Sequence, residues 1–249
     1  MSGHNRWSKL KHKKGATDAK RSKVWTKLIK EITVAARMGQ ADLDSNPRLR
    51  TAVEKARGQN LPNDTIERAM KRGSGELEGV TYEEFSYEVF GPGGIAILVD
   101  VMTDNRNRTA SEVRSLLTRF GGNLGASGSV SYMFKKQGVI VFEKSGVDED
   151  RLTEQAIELG VEDVRNEGES FVVLTEAREL ERIRDGLAQA GLPAPLSAEV
   201  TMIPQNVVHL AGAEAEKAAK LVSLLEDSDD VQNVHTNMDV DEAVLESIG

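Results

Sequence analysis

Between residues 139 and 203 the chain spells out a complete structural unit. Val139–Phe142, Val161–Asn166, Phe171–Thr175 and Leu196–Ile203 are apolar stretches of strand length, and Glu149–Leu159 and Ala177–Ala190 carry helical spacing between them. The order is β-α-β-β-α-β, the ferredoxin-like pattern, which buries its own core. After it come a strand near Val207–Leu210, a helix from Ala213 to Leu225 and a strand at Val231–Thr236. One helix and two strands are too little to bury a core alone. The constraint is therefore topological: 138–203 is an insertion, and the segments on either side of it must join.

The partner for the last segment lies just upstream. Phe85–Phe90 alternates, Gly91-Pro92-Gly93-Gly94 reads as a hairpin turn, and Ile95–Val101 reads as a buried strand. A helix from about Arg106 to Phe120, the glycine-rich Gly121–Gly128 and a strand at Val130–Phe134 complete it. Ahead of these, helices are punctuated one by one. The first runs from about Lys20 to Met38 and stops at Gly39; Asn46 caps a second with Pro47 at its first position; Asp64-Thr65-Ile66-Glu67 has capping-box spacing for a third. The expected class is α+β in three domains: 1–78, a basic arm plus helical domain; 79–137 and 204–249, a discontinuous α+β domain; and 138–203, an inserted βαββαβ domain.

Charge divides along the same lines. Residues 1–75 hold 18 Lys and Arg against 7 Asp and Glu, a net of +11, while the protein as a whole is at −8. Such asymmetry points to a basic binding module on acidic domains. The first thirty residues alone hold ten cations and one acid. Arg6, Lys9, Lys11, Lys13 and Lys14 surround Trp7 and His12, cations for phosphates beside flat rings for stacking. Lys20, Lys23, Lys27 and Lys30, with Arg21 beside them, then recur at 3-4-3 spacing, a stripe on one helix face opposite Trp25, Leu28, Ile29 and Ile32. These twelve residues are the candidate nucleic-acid contacts. The plainer alternative is a solvated tail with Trp7 as a packing anchor.

Long stretches of this sequence resemble one family. SGHNRWSKLKHKKGATDAKRSKVWTKLIKEI, NLPNDTIERAMKRG, YEVFGPGGIAILVDVMTDNRNRTASEVR and FGGNLGASGSVSYMF look like the YebC/PmpR family, and the similarity covers the whole chain. The resemblance implies a helical N-terminal domain followed by two ferredoxin-like α+β domains. Bacterial members are described as probable transcriptional regulators, and a mitochondrial branch activates translation of cytochrome c oxidase subunit one. A match beginning at Ser2 also implies that the basic arm is part of the mature protein.

Other motifs are weaker. Thr103–Thr109 follows a buried strand and opens a helix, so Arg106 and Arg108 in its first turn suggest a bound phosphate. Pairing with acids of the chain itself explains them equally well. Neither glycine-rich turn has the lysine and hydroxyl residue of a P-loop. The four histidines are scattered, no triad pattern is visible, and the sequence has no cysteine, so neither metal nor other cofactor is expected and an enzyme is disfavoured. A nucleotide-dependent enzyme is the remote alternative. The acidic run Glu226–Asp230 reads as a solvated loop. The inserted segment, with 6 basic and 15 acidic residues and no basic-aromatic strand motif, is assigned to protein contacts or steric positioning.

No membrane span and no secretory signal are visible. The expectation is a cytoplasmic, non-enzymatic regulator of gene expression. Its partner is nucleic acid: ribosomal RNA on the ribosome by the character of the arm, or duplex DNA by the family's usual description.

Overall fold

The computed structural model describes residues 18–247. They divide into two compact units, 132–207 and the residues on either side of that segment.

The larger unit opens with three helices, α1 (Asp18–Met38), α2 (Pro47–Gly58) and α3 (Asn63–Ser74). Asn46 caps α2 as its sequence suggests: the Oδ1 accepts the Leu49 N–H at 3.0 Å, while the amide Nδ2 donates to the carbonyls of Ala35 and Gln40. The capping box anticipated at Asp64 does not form. Helix α3 starts one residue earlier, the Pro62 carbonyl accepts from Thr65 and Ile66, and Asp64 instead pairs with Arg68 one turn on. Ile32, Ala35, Leu49, Val53, Ala56, Ile66 and Ala69 form the core of these helices. Small residues set the spacing of α1 and α3: a Cβ placed on Gly73 would lie 2.3 Å from the Thr33 carbonyl oxygen and 2.7 Å from the Ala36 Cβ.

Downstream, strands β1 (Glu83–Phe90) and β2 (Ala96–Thr103) form an antiparallel hairpin in register from Glu83 opposite Thr103 to Phe90 opposite Ala96. Its turn needs positive φ at Gly93 (67°) and Gly94 (77°), which only glycine adopts without strain. Helix α4 (Arg106–Phe120) and the two-residue β3 (Asn123–Leu124) follow. After the inserted unit, β8 (Val208–His209), α7 (Gly212–Glu226), β9 (Val231–Thr236), β10 (Met238–Asp239) and α8 (Glu242–Ser247) return to the same body. The sheet order is β3-β1-β2-β9, so strands from both sides of the insertion share one sheet. Ile97, Val99 and Val101 of β2 pack with Val113 and Leu117 of α4 and Ala218, Leu221, Val222 and Leu225 of α7.

The unit 132–207 contains β4 (Phe134–Glu143), α5 (Glu149–Glu158), β5 (Asp163–Asn166), β6 (Ser170–Glu176), α6 (Leu180–Gln189) and β7 (Ser197–Pro204), in sheet order β5-β6-β4-β7. Every neighbouring pair is antiparallel, the ferredoxin-like arrangement. The other sheet reaches the same pattern of neighbours through a different chain order. One expectation fails here. Residues 130–134 and 139–142 read as separate strands, but β4 runs unbroken from Phe134. The polar stretch Lys135-Lys136-Gln137-Gly138 stays extended because each residue pairs with β7, and Gln137 and Gly138 pair with β6 as well. Gly138 is needed for closeness: a Cβ there would come within 2.4 Å of Thr175 Oγ1.

Gly73→Ala is expected to lower stability by about 1–3 kcal/mol through overpacking, although the same change in an open helix would raise it by up to about 1 kcal/mol. Thermal unfolding followed by circular dichroism reads the sign. An unchanged or higher midpoint would contradict the close α1–α3 crossing.

Candidate nucleic-acid interface

Seven of the candidate contacts, Arg6, Trp7, Lys9, Lys11, His12, Lys13 and Lys14, lie outside the described residues. Lys20 falls in α1, but its side chain is not among those described. The remainder of the regular stripe meets acidic or carbonyl partners. Lys23 Nζ lies 3.5 Å from Asp227, Lys27 Nζ donates to the Glu226 carbonyl at 2.6 Å, and Lys30 Nζ reaches Asp230 Oδ1 and the Asp229 carbonyl, both at 2.7 Å. The cationic face of α1 is docked on the acidic loop between α7 and β9. Arg21 is exposed at the start of this face and also has a partner.

That loop is not a solvated run of acids. Asp230 is only 4 % exposed and receives four donors: Lys30 on Oδ1, and Arg108 Nη2 (2.8 Å), Thr109 Oγ1 (2.8 Å) and Thr103 Oγ1 (3.1 Å) on Oδ2. Burial by itself would raise its carboxyl, but the hydrogen bonds from Lys30, Arg108 and Thr109 outweigh it and hold the group at about 2. Lys30 is 7 % exposed, so a phosphate cannot reach it without opening this joint.

The same carboxylate accounts for the arginines at the start of α4. Arg108 bridges Asp104 (2.7 Å) and Asp230, while Arg106 lies with its guanidinium 4.2 Å from the Phe85 ring centroid and 3.4 Å from Glu83. Asn105 Oδ1 accepts the Arg108 N–H at 3.1 Å, satisfying one of the free donors of the first turn. Of the two readings offered for Arg106 and Arg108, pairing with the chain's own acids is the one observed. The glycine-rich loop is similarly self-satisfied. The Glu88 carboxylate accepts backbone N–H groups of Gly128 (2.7 Å), Val130 and Ser131 (2.8 Å), and β3 pairs with β1. Its cluster of N–H donors already holds an anion, so the loop is anchored.

Ser86, Asp100 and His235 meet on one sheet, but not as a nucleophilic triad. Asp100 sits in the middle, accepting from Ser86 Oγ at 2.7 Å and lying 3.0 Å from His235 Nε2, so the imidazole does not address the hydroxyl. Among the described residues no group of His, Asp or Glu is arranged to hold a metal ion. No described helix is long and apolar enough to cross a membrane.

Several cations of the helical region do remain open. Arg37, Arg57, Lys71 and Arg72 are exposed and lie within ion-pair distance of no carboxylate among the described residues, in contrast to Arg48, which is clamped between Glu31 and Glu84. Arg37 escaped the reading of the sequence because an isolated arginine in a last helical turn is ordinary. Asp230 escaped it because nothing local distinguishes it from the four residues before it.

Asp230→Asn removes the charge that compensates a buried lysine, and about 3–5 kcal/mol of destabilisation is expected, measured by urea unfolding. The pH dependence has a definite sign. The folded carboxyl sits near 2 and the ordinary value is 3.8, so the contribution of this site is complete above about pH 4 and is lost as pH falls toward 2. The amount is roughly 2 kcal/mol. In the Asn variant that part of the acid dependence is absent.

Comparison with known proteins completes the picture. Residues 5–76 match the family profile described as the TACO1/YebC protein N-terminal domain, and residues 82–238 match the one described as the TACO1/YebC second and third domain. Relatives called probable transcriptional regulatory proteins are 58 % identical in Geotalea uraniireducens and 56 % in Geobacter sulfurreducens, each over 248 residues and the full length of both chains. The crystal structure of a conserved hypothetical protein from Aquifex aeolicus, 47 % identical, superposes with a TM-score of 0.82 over 94 % of this chain and 96 % of that one. Matches of this extent leave one conclusion: the chain belongs to the TACO1/YebC family.

Proposed function

We propose that this protein is a non-enzymatic, cytoplasmic regulator of gene expression that binds nucleic acid through its basic N-terminal segment and helical region. The observation that carries the reading is the division of charge. The first 75 residues hold a net +11 in a chain of net −8, and only part of that excess is consumed internally. Lys23, Lys27 and Lys30 are spent on the acidic loop. The binding role therefore falls to Arg6, Trp7, Lys9, Lys11, His12, Lys13 and Lys14, together with the unpaired cations of the helical region.

RNA on the ribosome is the preferred target, making the protein a translation factor. A segment in which Trp7 and His12 alternate with cations suits unpaired bases. In the cationic stripe of α1, Lys27 and Lys30 are engaged by the acidic loop. The unit 132–207 is acidic, and the strands of its sheet present Val139, Val172, Leu174 and Ile203 on the face away from its helices, where an RNA-recognition sheet would carry aromatic and basic residues. Its role is contact with protein or steric positioning. A second reading, binding of duplex DNA as a transcriptional regulator, is favoured by the names of the relatives.

Changing Lys11, Lys13 and Lys14 together to Ala is expected to weaken nucleic-acid binding strongly and to flatten its salt dependence by roughly 0.7–0.9 for each phosphate no longer neutralised. Unchanged affinity would remove the arm from the mechanism. Sedimentation of the tagged protein from lysate separates the two targets. Co-migration with ribosomes that resists DNase and falls with salt supports the translation reading; association abolished by DNase treatment, away from ribosomes, makes it a DNA-binding regulator.

A further inference from the structure

Where the C-terminal ends of α1 and α3 meet the segment leading to β1 there is a groove of about 270 Å³. Arg37 of α1 and Arg72 of α3 line it, together with Gly73, Ser74, Gly75 and Tyr82. The residues around it explain why the arginines are notable. The usual role of a cation in a last turn is to answer the free carbonyls there. At the end of α3 that role is taken: the Leu77 N–H donates to the Lys71 carbonyl at 3.1 Å and the Gly75 N–H to the Arg72 carbonyl at 3.4 Å.

No acid answers the arginines either. Tyr82 feels the charges of Asp104 and Asp230, but Arg108 and Lys30 already pair with those two carboxylates. The Tyr82 hydroxyl makes no hydrogen bond to another described residue, and burial raises its pKa, so it stays protonated and able to donate. Two guanidinium forks and a phenolic donor facing one recess, in a chain that satisfies Arg48, Arg68, Arg106 and Arg108 internally, form an arrangement matched to phosphate oxygens.

We infer that the Arg37–Arg72 groove is a second phosphate-binding site, one that takes a backbone phosphodiester of the bound nucleic acid. The inference rests on the nucleic-acid reading above and extends it from the basic segment to a built site on the folded body. Helix α1 spans 21 residues, about 30 Å. At about 3.4 Å per nucleotide along a duplex strand, the groove and the start of α1 are then some nine nucleotides apart. A duplex of about ten base pairs or more is long enough to engage both ends of the helix, and one of about five base pairs is not.

The test uses the full chain and two labelled probes, a 20-nucleotide single-stranded RNA and a 20-base-pair duplex DNA of the same sequence, titrated across salt. The double substitution Arg37→Gln with Arg72→Gln is expected to weaken binding of at least one probe by about tenfold or more. For the RNA it is expected to flatten the slope of log K against log salt by roughly 0.7, the loss of one neutralised phosphate. The two probes show whether the phosphates belong to RNA or to duplex DNA. Replacement of both by Lys keeps charge but loses the fork, and intermediate affinity is expected. Melting curves establish folding, and should the double variant unfold, the two single substitutions carry the same test. Wild-type affinity in the Gln variant, alongside loss of binding in the Lys11, Lys13, Lys14 variant, would overturn the groove and leave the arm reading standing. Failure of the wild type to bind either probe would overturn both.

Discussion

A buried carboxylate needs compensation on all sides, and Asp230 obtains it from three separate elements. Lys30 comes from α1, Thr103 from the end of β2, and Arg108 and Thr109 from the first turn of α4. An ion taken out of water costs several kcal/mol unless its lone pairs are occupied. The position of α1 against the sheet is consequently tied to whether Asp230 keeps its donors. Lys30 is equally dependent, since its ammonium has been withdrawn from solvent and faces the Tyr82 ring, the Asp229 carbonyl and Asp230. Trp25, on the packed side of the same helix, adds a hydrogen bond from its indole N–H to the Gln59 carbonyl.

This joint reallocates the protein's charge. Basic residues that look equivalent along α1 are divided by tertiary structure into those engaged with the chain's own acids and carbonyls and those with no such partner among the described residues. Lys23, Lys27 and Lys30 fall in the first class. Arg37 falls in the second, seven residues further along the same helix. Counting cations along the chain overstates the surface available to phosphate. Counting the ones without a carboxylate gives a smaller set, of which Arg37 and Arg72 line one groove.

Much of the architecture was legible because it depends on periodicity and punctuation. Helix α4 begins and ends at the residues its pattern suggests, from the turn after Thr103 to Gly121, and the insertion follows from arithmetic on elements: one helix and two strands cannot bury a core. Departures came where long-range pairing overrode local composition. Lys135–Gly138 is polar and glycine-ended, yet extended, because β6 and β7 supply hydrogen-bond partners. Asp64 has capping-box spacing but finds Arg68, while Pro62 starts the helix without a side-chain cap. The Gly121–Gly128 run looks loose, but Glu88, some forty residues earlier, gathers its N–H groups.

The sequence by itself determined the class of fold, the family and the polarity of charge, since each is written in local spacing or in sums over segments. Only the tertiary structure decided which charges are available. Whether Lys30 meets water or Asp230, which acids Arg106 and Arg108 meet, and whether Arg37 and Arg72 share a groove depend on residues brought together across up to 200 positions. Electrostatic energy depends on distance in space and on exclusion of water, and neither quantity is encoded in sequence separation.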